Sequence, residues 1–146
     1  MKQVTERIEF ETTTQIEFVD LTERVQEIVD KSGIRTGEVL VFAPHTTMGV
    51  TINHNEPMLI QDFMRVLYKL VPVDEQYSHD LFELRRDAKA DGRSNGHSHC
   101  KAIILGASKS APIADGHLML SDIQSFFAVE FDGARKRDVI VRVSGE

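Results

Sequence analysis

The second half of this chain offers almost no material for helical crossovers, and that constrains its fold more than any single motif. From residue 97 onward the sequence passes through β-rich runs at 97–105, 112–120, 123–131 and 137–143, with turn signals at Asp115-Gly116 and Asp132-Gly133. Asp-Gly between apolar runs favours a hairpin, because glycine takes up positive φ without a steric penalty. Strands joined by such short links pair antiparallel, since a parallel pair needs a crossover of a dozen residues or more. Upstream, "VTERIEF" at 4–10 reads as a strand. "GEVLVFAPHTTMGVTIN" gives two more at 38–43 and 48–53, broken at Pro44 so that His45 falls at a strand end.

Only two segments carry good helix signals. In "DLTERVQEIVDKSG" Asp20 is a candidate N-cap with Glu23 three residues on, Leu21, Val25, Ile28 and Val29 form the apolar set, and Gly33 stops the helix. A second helix starts near Glu56-Pro57, where proline suits the first turn; its apolar residues include Leu59, Ile60, Phe63, Met64, Leu67 and Leu70, and Pro72 ends it. Glu56 is the expected cap. Strands outnumber helices about six to two, which predicts an α+β fold: one compact domain over residues 1–146 with a largely antiparallel or mixed sheet. Between 72 and 96 the chain is polar and hard to assign, with "LFELRRDA" as a helix candidate and "DGRSNG" as a loop. Connections this long are more often functional than idle.

A net charge of −6 argues against a general nucleic-acid binder, which needs clustered cations. "RKR" at 135–137 is the one dense basic run and reads as an edge-strand charge cluster. No apolar stretch nears the roughly 20 residues that span a bilayer, and "MKQVTERIEFETTT" has no hydrophobic signal core, so the expectation is a cytoplasmic protein with no membrane contact. Cys100 is the single cysteine; it excludes an internal disulfide and reads as a small buried hydrophobe.

All six histidines lie between residues 45 and 117. If 97–105 is a strand, His97 and His99 project to one face, with Lys101 following, and can offer two nitrogens to one ion or anion. Zinc usually takes three or four protein ligands, so His45 and His79 are the natural completions. Asp62 and Asp80 can hold an imidazole's second nitrogen, Asn53 and Asn55 follow a strand, and "GASKSAP" at 106–112 is either a plain connection or a phosphate-holding turn with Lys109.

Taken in order, "HTTMGVTIN" (45–53), Asp62, "VP" (71–72), "YSHD" (77–80), "SHCKAIILGAS" (98–108), the Pro112…Asp115-Gly116 turn, Gln124 and "EFDGARKRDVIVRVSGE" (130–146) resemble the YjbQ family of small proteins linked to secondary thiamine-phosphate synthase activity. The resemblance implies a homotrimeric α+β subunit acting on a small phosphorylated substrate. It carries the family's polar positions onto His45, Asn53, Asp62, His79, His99, Gln124 and Arg135. Ser121, Asp122 and Ile123 replace the family's usual glycine, small residue and tryptophan; His117 stands where arginine is common, and His54 where an acid is common.

The implied reaction joins a pyrimidine methyl pyrophosphate to a thiazole phosphate with loss of pyrophosphate. Its needs are ring alignment, water exclusion and anion stabilisation. On this reading His45, His79, His99, Asp62 and Gln124 are the catalytic candidates, and Asn53, Asp80, Lys109 and Arg135 bind substrate. His45, His79 and His99 also form the candidate site for a divalent ion, zinc or magnesium. A three-histidine zinc hydrolase and a non-enzymatic trimeric metal- or metabolite-binding module are the alternatives.

Overall fold

The computed structural model describes residues 1–81 and 93–146. In chain order the elements are β1 (Lys2–Glu11), β2 (Glu17–Asp20), α1 (Thr22–Ser32), β3 (Gly37–Phe42), β4 (Met48–Asn53), α2 (Pro57–Leu70), a 3-10 turn at Ser78–Asp80, α3 (Gly96–Leu105), β5 (Ser108–Ala114), β6 (His117–Leu118), β7 (Ser125–Glu130) and β8 (Lys136–Gly145). They form two antiparallel sheets, one of five strands in the order β1-β8-β3-β5-β6 and one of three in the order β2-β7-β4.

The α+β class and the antiparallel pairing are as the sequence predicts, but two details differ. The run 97–105 is helix α3, the third α-helix among the described residues. Its β-branched Ile103-Ile104 pair suggested a strand, yet both side chains are exposed, and the buried set Gly96, His97, Ser98, Lys101 and Ala102 follows helical spacing. The Asp132-Gly133 link is not a hairpin. β7 pairs with β2 and β4, while β8 pairs with β1 and β3, so the link carries the chain from one sheet to the other. Gly133 is required there by close approach: an added Cβ would stand 2.1 Å from the Thr14 carbonyl oxygen. The "LFELRRDA" segment lies outside the described residues apart from Leu81.

The layering explains β7. Phe126 and Ala128 face the main core, which joins α1 (Val25, Ile28, Val29) to β3, β5 and β8. Phe127 and Val129 face a second core with Leu67 of α2 and Ala102 of α3. A strand buried on both faces reads as an unbroken apolar run. Each such side chain contributes roughly 1.5–3 kcal/mol through burial.

Local signals place the helix ends. Glu56 accepts hydrogen bonds from the Met58 and Leu59 amides with Pro57 behind it, and Gly33 ends α1 at φ 71°. Asp20 sits one residue before the N-cap of α1 and accepts from the Thr22 amide at 2.9 Å and the Thr22 hydroxyl at 2.7 Å. Burial opposes the charge on Asp20, but hydrogen bonds from Thr22, Asn55 and Ser125 hold its carboxyl below the usual range. No helix among the described residues is long and apolar enough to cross a membrane.

Candidate functional site

β4 ends at Asn53, and α2 begins four residues later and returns beside it. Leu59, Asp62, Phe63 and Val66 recur at helical spacing and line one side of a cavity of about 380 Å³. Phe18, Thr51, Asn53, Leu67 and Leu105 complete its wall. Phe18 anchors the aromatic part, with its ring centroid 5.7 Å from that of Phe63 and 5.5 Å, edge-on, from that of Phe127. Asp62 accepts a hydrogen bond from Arg65 at 3.1 Å.

A second cavity of about 370 Å³ is lined by Ile52, Asn53, His54, Ser121, Ile123 and Gln124. Asn53 therefore belongs to both. A larger groove of about 520 Å³ lies elsewhere, along the paired ends of β1 and β8, lined by Glu9, Phe10, Glu11, Lys136, Arg137 and Asp138. It is a surface groove in which every lining residue but Phe10 is ionisable, unlike the mostly hydrophobic linings of pockets that hold small molecules.

Four of the six histidines, His45, His79, His97 and His99, fall into three groups. His79, in the 3-10 turn, and His99, in α3, bring their rings to 4.6 Å between centroids, edge to face. The turn is held there because Asp80 accepts from the Gly96 amide at 3.0 Å, closing the start of α3. Gly96 has no room for a side chain, since a Cβ would lie 2.6 Å from Tyr77 Cβ.

His97 points the other way, because residues two apart on a helix are about 200° around the axis. It is buried, with Lys101 Nζ 2.9 Å from its Nδ1. Burial, then Lys101, hold His97 below the usual imidazole range against the opposing pull of Asp132 and Asp80, and burial pushes the Lys101 amine down. The shared face expected for "HSH" is therefore absent, as a consequence of the helix.

His45 follows β3 as expected. Its Nε2 lies 2.8 Å from the Asp138 carbonyl oxygen and 2.9 Å from Asp138 Oδ1, so the Nε2–H donates to both. Nδ1 is then the acceptor nitrogen of the neutral ring. Asp138 was missed in the sequence because it abuts "RKR". That run is also no uniform edge cluster: Arg137 is buried on Glu130 and Thr47, and Arg135 hydrogen-bonds Asp132 at 3.0 Å. Arg93 reaches the same Asp132 at 3.1 Å. Lys109 donates to the Leu105 carbonyl at 3.0 Å and ties down the last turn of α3.

Of the nine candidate residues, Asn53 meets Asp62 in one cavity and Gln124 in the other, and His79 meets His99 beside Asp80. His45, Lys109 and Arg135 each bond elsewhere. Among the described residues no group of three or more His, Cys, Asp or Glu side chains could hold a metal ion. Two imidazoles fall short of zinc's usual ligand set. Phe18 and Phe63 gave no sequence signal, since an aromatic lining a cavity and one filling a core follow the same period.

The sequence matches the family profile described as UPF0047 protein YjbQ-like over residues 6–146. A UPF0047 protein from Methanothermobacter thermautotrophicus is 34% identical over 146 residues, covering 100% of this chain and 95% of its own. One from Archaeoglobus fulgidus is 39% identical over 131 residues, covering 90% and 94%. The crystal structure of a YbjQ-like protein of unknown function from Sulfolobus solfataricus P2 superposes with a TM-score of 0.90 at 32% identity, covering 99% of each chain. A Clostridium acetobutylicum protein of the YjbQ/UPF0047 family gives 0.84 at 34% identity, covering 95% of this chain and 99% of that one.

Proposed function

The chain belongs to the YjbQ-like UPF0047 family, and from that premise we propose that it is a thiamine-phosphate synthase-like transferase whose ring substrate enters the cavity between β4 and α2. The observation that carries this reading is the make-up of that cavity. Two phenylalanines and four aliphatic side chains surround three polar ones, Thr51, Asn53 and Asp62. A volume of about 380 Å³ suits one substituted heteroaromatic ring.

The chemistry asks little more than alignment. The thiazole nitrogen attacks the methylene carbon of the pyrimidine, the new C–N bond forms as the C–O bond to pyrophosphate breaks, and pyrophosphate leaves with the electron pair. In this scheme Phe18 and Phe63 hold the ring and exclude water, and Asp62 accepts from ring substituents. Asn53 bridges to the second cavity, where Gln124 positions the partner. His79 and His99 form an imidazole pair apart from the linings of both cavities. A zinc or magnesium ion was expected on His45, His79 and His99, but the donors present do not fit it: among the described residues no third His, Cys, Asp or Glu joins His79 and His99 in a group that could hold a metal ion.

We further propose a homotrimer. Met58, Val66 and Leu70 on α2 and Ile103 and Ile104 on α3 are exposed apolar side chains of the kind that self-association covers. Light scattering should then return three times the 16.5 kDa subunit mass.

The test of function is release of pyrophosphate by the purified chain. Release only when both ring substrates are present supports a transferase, and loss of at least tenfold in Asp62→Asn and Phe63→Ala ties it to this cavity. Release from the pyrimidine pyrophosphate alone points to a hydrolase. Saturable binding without turnover leaves a binding module. Either of the last two outcomes overturns the transferase reading.

A further inference from the structure

The second cavity presents hydrogen-bond donors and no carboxylate. Asn53 Oδ1 is occupied, accepting the His54 amide at 2.8 Å, so the Nδ2 group is the end left to face the cavity. Gln124 Oε1 is likewise occupied by the Ser121 amide at 3.0 Å, which leaves its Nε2 group. Each amide thus spends its acceptor on the backbone and keeps two N–H donors. The Ser121 hydroxyl and the His54 imidazole, which has an N–H in every protonation state, stand in the same lining.

The neighbouring acids do not contribute to that lining. Glu56 is turned back on the amides of Met58 and Leu59, and Asp122 is exposed and outside the cavity wall. A concave surface built from donors, with Ile52 and Ile123 as its apolar sides, selects an acceptor-only group. Phosphate and carboxylate oxygens are such groups.

We propose that Asn53, His54, Ser121 and Gln124 form an oxyanion-binding subsite that takes the phosphate group of an anionic ligand. The cavity, at about 370 Å³, has room for the phosphate and for the portion of the ligand attached to it. Because Asn53 also lines the ring cavity, one ligand can lie across both; that clause rests on the transferase reading, whereas the donor set does not.

The experiment is a titration of the full chain with inorganic phosphate at constant ionic strength set with chloride, followed by calorimetry and by the unfolding midpoint. Gln124→Glu is the decisive variant. A glutamate can still accept the Ser121 amide, so the loop is retained, but the donor becomes a second carboxylate oxygen. We expect saturable phosphate binding in the wild type, weakened at least tenfold in Gln124→Glu and in Asn53→Asp, and changed less than twofold in Asp62→Asn, which lies in the other cavity. Each variant's midpoint without phosphate serves as the folding control.

Parallel titrations with pyrophosphate and with a simple phosphate monoester separate the sources. Tighter binding of the monoester identifies a substrate's phosphate ester, and tighter binding of the free anions identifies a leaving group; both support the subsite. No saturable binding at millimolar phosphate, or equal binding in wild type and Gln124→Glu, overturns it. Phosphate binding as expected alongside no pyrophosphate release overturns the transferase reading alone.

Discussion

Replacing Arg137 by methionine should be among the most damaging single changes in this protein. Glu130 is fully buried, and its carboxylate is held by Arg137 Nε at 2.8 Å, by Arg137 NH2 at 2.5 Å, by the Thr12 hydroxyl at 2.8 Å and by the Asp132 amide at 3.1 Å. Arg137 also donates to Thr47 Oγ1 at 2.8 Å. Removing the guanidinium leaves a buried carboxylate with two donors and no counter-charge, for which the expected loss is about 3–5 kcal/mol. In a domain of this size that corresponds to a fall in midpoint on the order of 10 °C.

The pair itself is worth much less, because both ions lose their water on burial. Glu130→Gln with Arg137→Met should therefore recover a large part of the loss. The pH dependence carries the same argument. Burial opposes the charge on Glu130, but bonds from Arg137, Asp132 and Thr12 outweigh it and hold its folded pKa below the ordinary glutamate value of 4.5. A depressed carboxyl contributes stability that is present above the unfolded pKa and is lost as pH falls through the folded one, so the wild type should weaken below about pH 4.5. Glu130→Gln should lack that component. Urea unfolding of the wild type, both single variants and the double variant, at pH 7 and at pH 3.5, measures all of this. If Arg137→Met costs less than about 1 kcal/mol at pH 7, or the double variant loses the sum of the singles, the carboxylate is not the stranded charge argued here.

Asp80→Ala removes the carboxylate that closes the start of α3, and a loss of about 0.5–2 kcal/mol is expected in chemical unfolding. The same variant should change the His79 and His99 ring resonances in NMR, because the turn carrying His79 is tied to α3 through that bond. Gly96→Ala should cost about 1–3 kcal/mol, since its Cβ would meet Tyr77 Cβ at 2.6 Å.

How far the sequence could be read follows from where each signal originates. α2 was legible because its cap and its stop are both local: Glu56 and Pro57 begin it and Pro72 follows its end. α3 was not, because the group that closes its start is Asp80, sixteen residues earlier, and its apolar stretch ends in β-branched isoleucines. Nothing local announces that His97 and Lys101 are buried together, since both residue types are usually exposed. The Asp132-Gly133 turn was visible, but its partners were not, because two antiparallel strands in succession read alike whether they pair or part. Gln124 was named only through a resemblance spread over the whole chain, whereas Asn53 and Asp62 also stood out as polar residues after a strand and along α2, and the structure gathers all three around one strand end. His45 was placed correctly at the end of β3, while its partner Asp138 was hidden by the charges beside it.

The location of the two cavities follows from how the chain treats one exposed strand edge. Among the described residues β4 pairs only with β7, so its far edge is covered there by something other than a strand. The cover is the end of α3: the Val50 amide donates to the Gly106 carbonyl at 3.1 Å, and Gly49 allows Leu105 in so closely that a Cβ would lie 2.8 Å from the leucine's own. Lys109 holds that helix end by bonding the Leu105 carbonyl. The cover stops there, but β4 continues to Asn53. Thr51 and Asn53 therefore extend past the helix that protects the strand, and α2, starting four residues later, folds back to form the opposite wall. A polar residue at the uncovered end of such a strand faces space on both sides, which is why Asn53 lines both cavities.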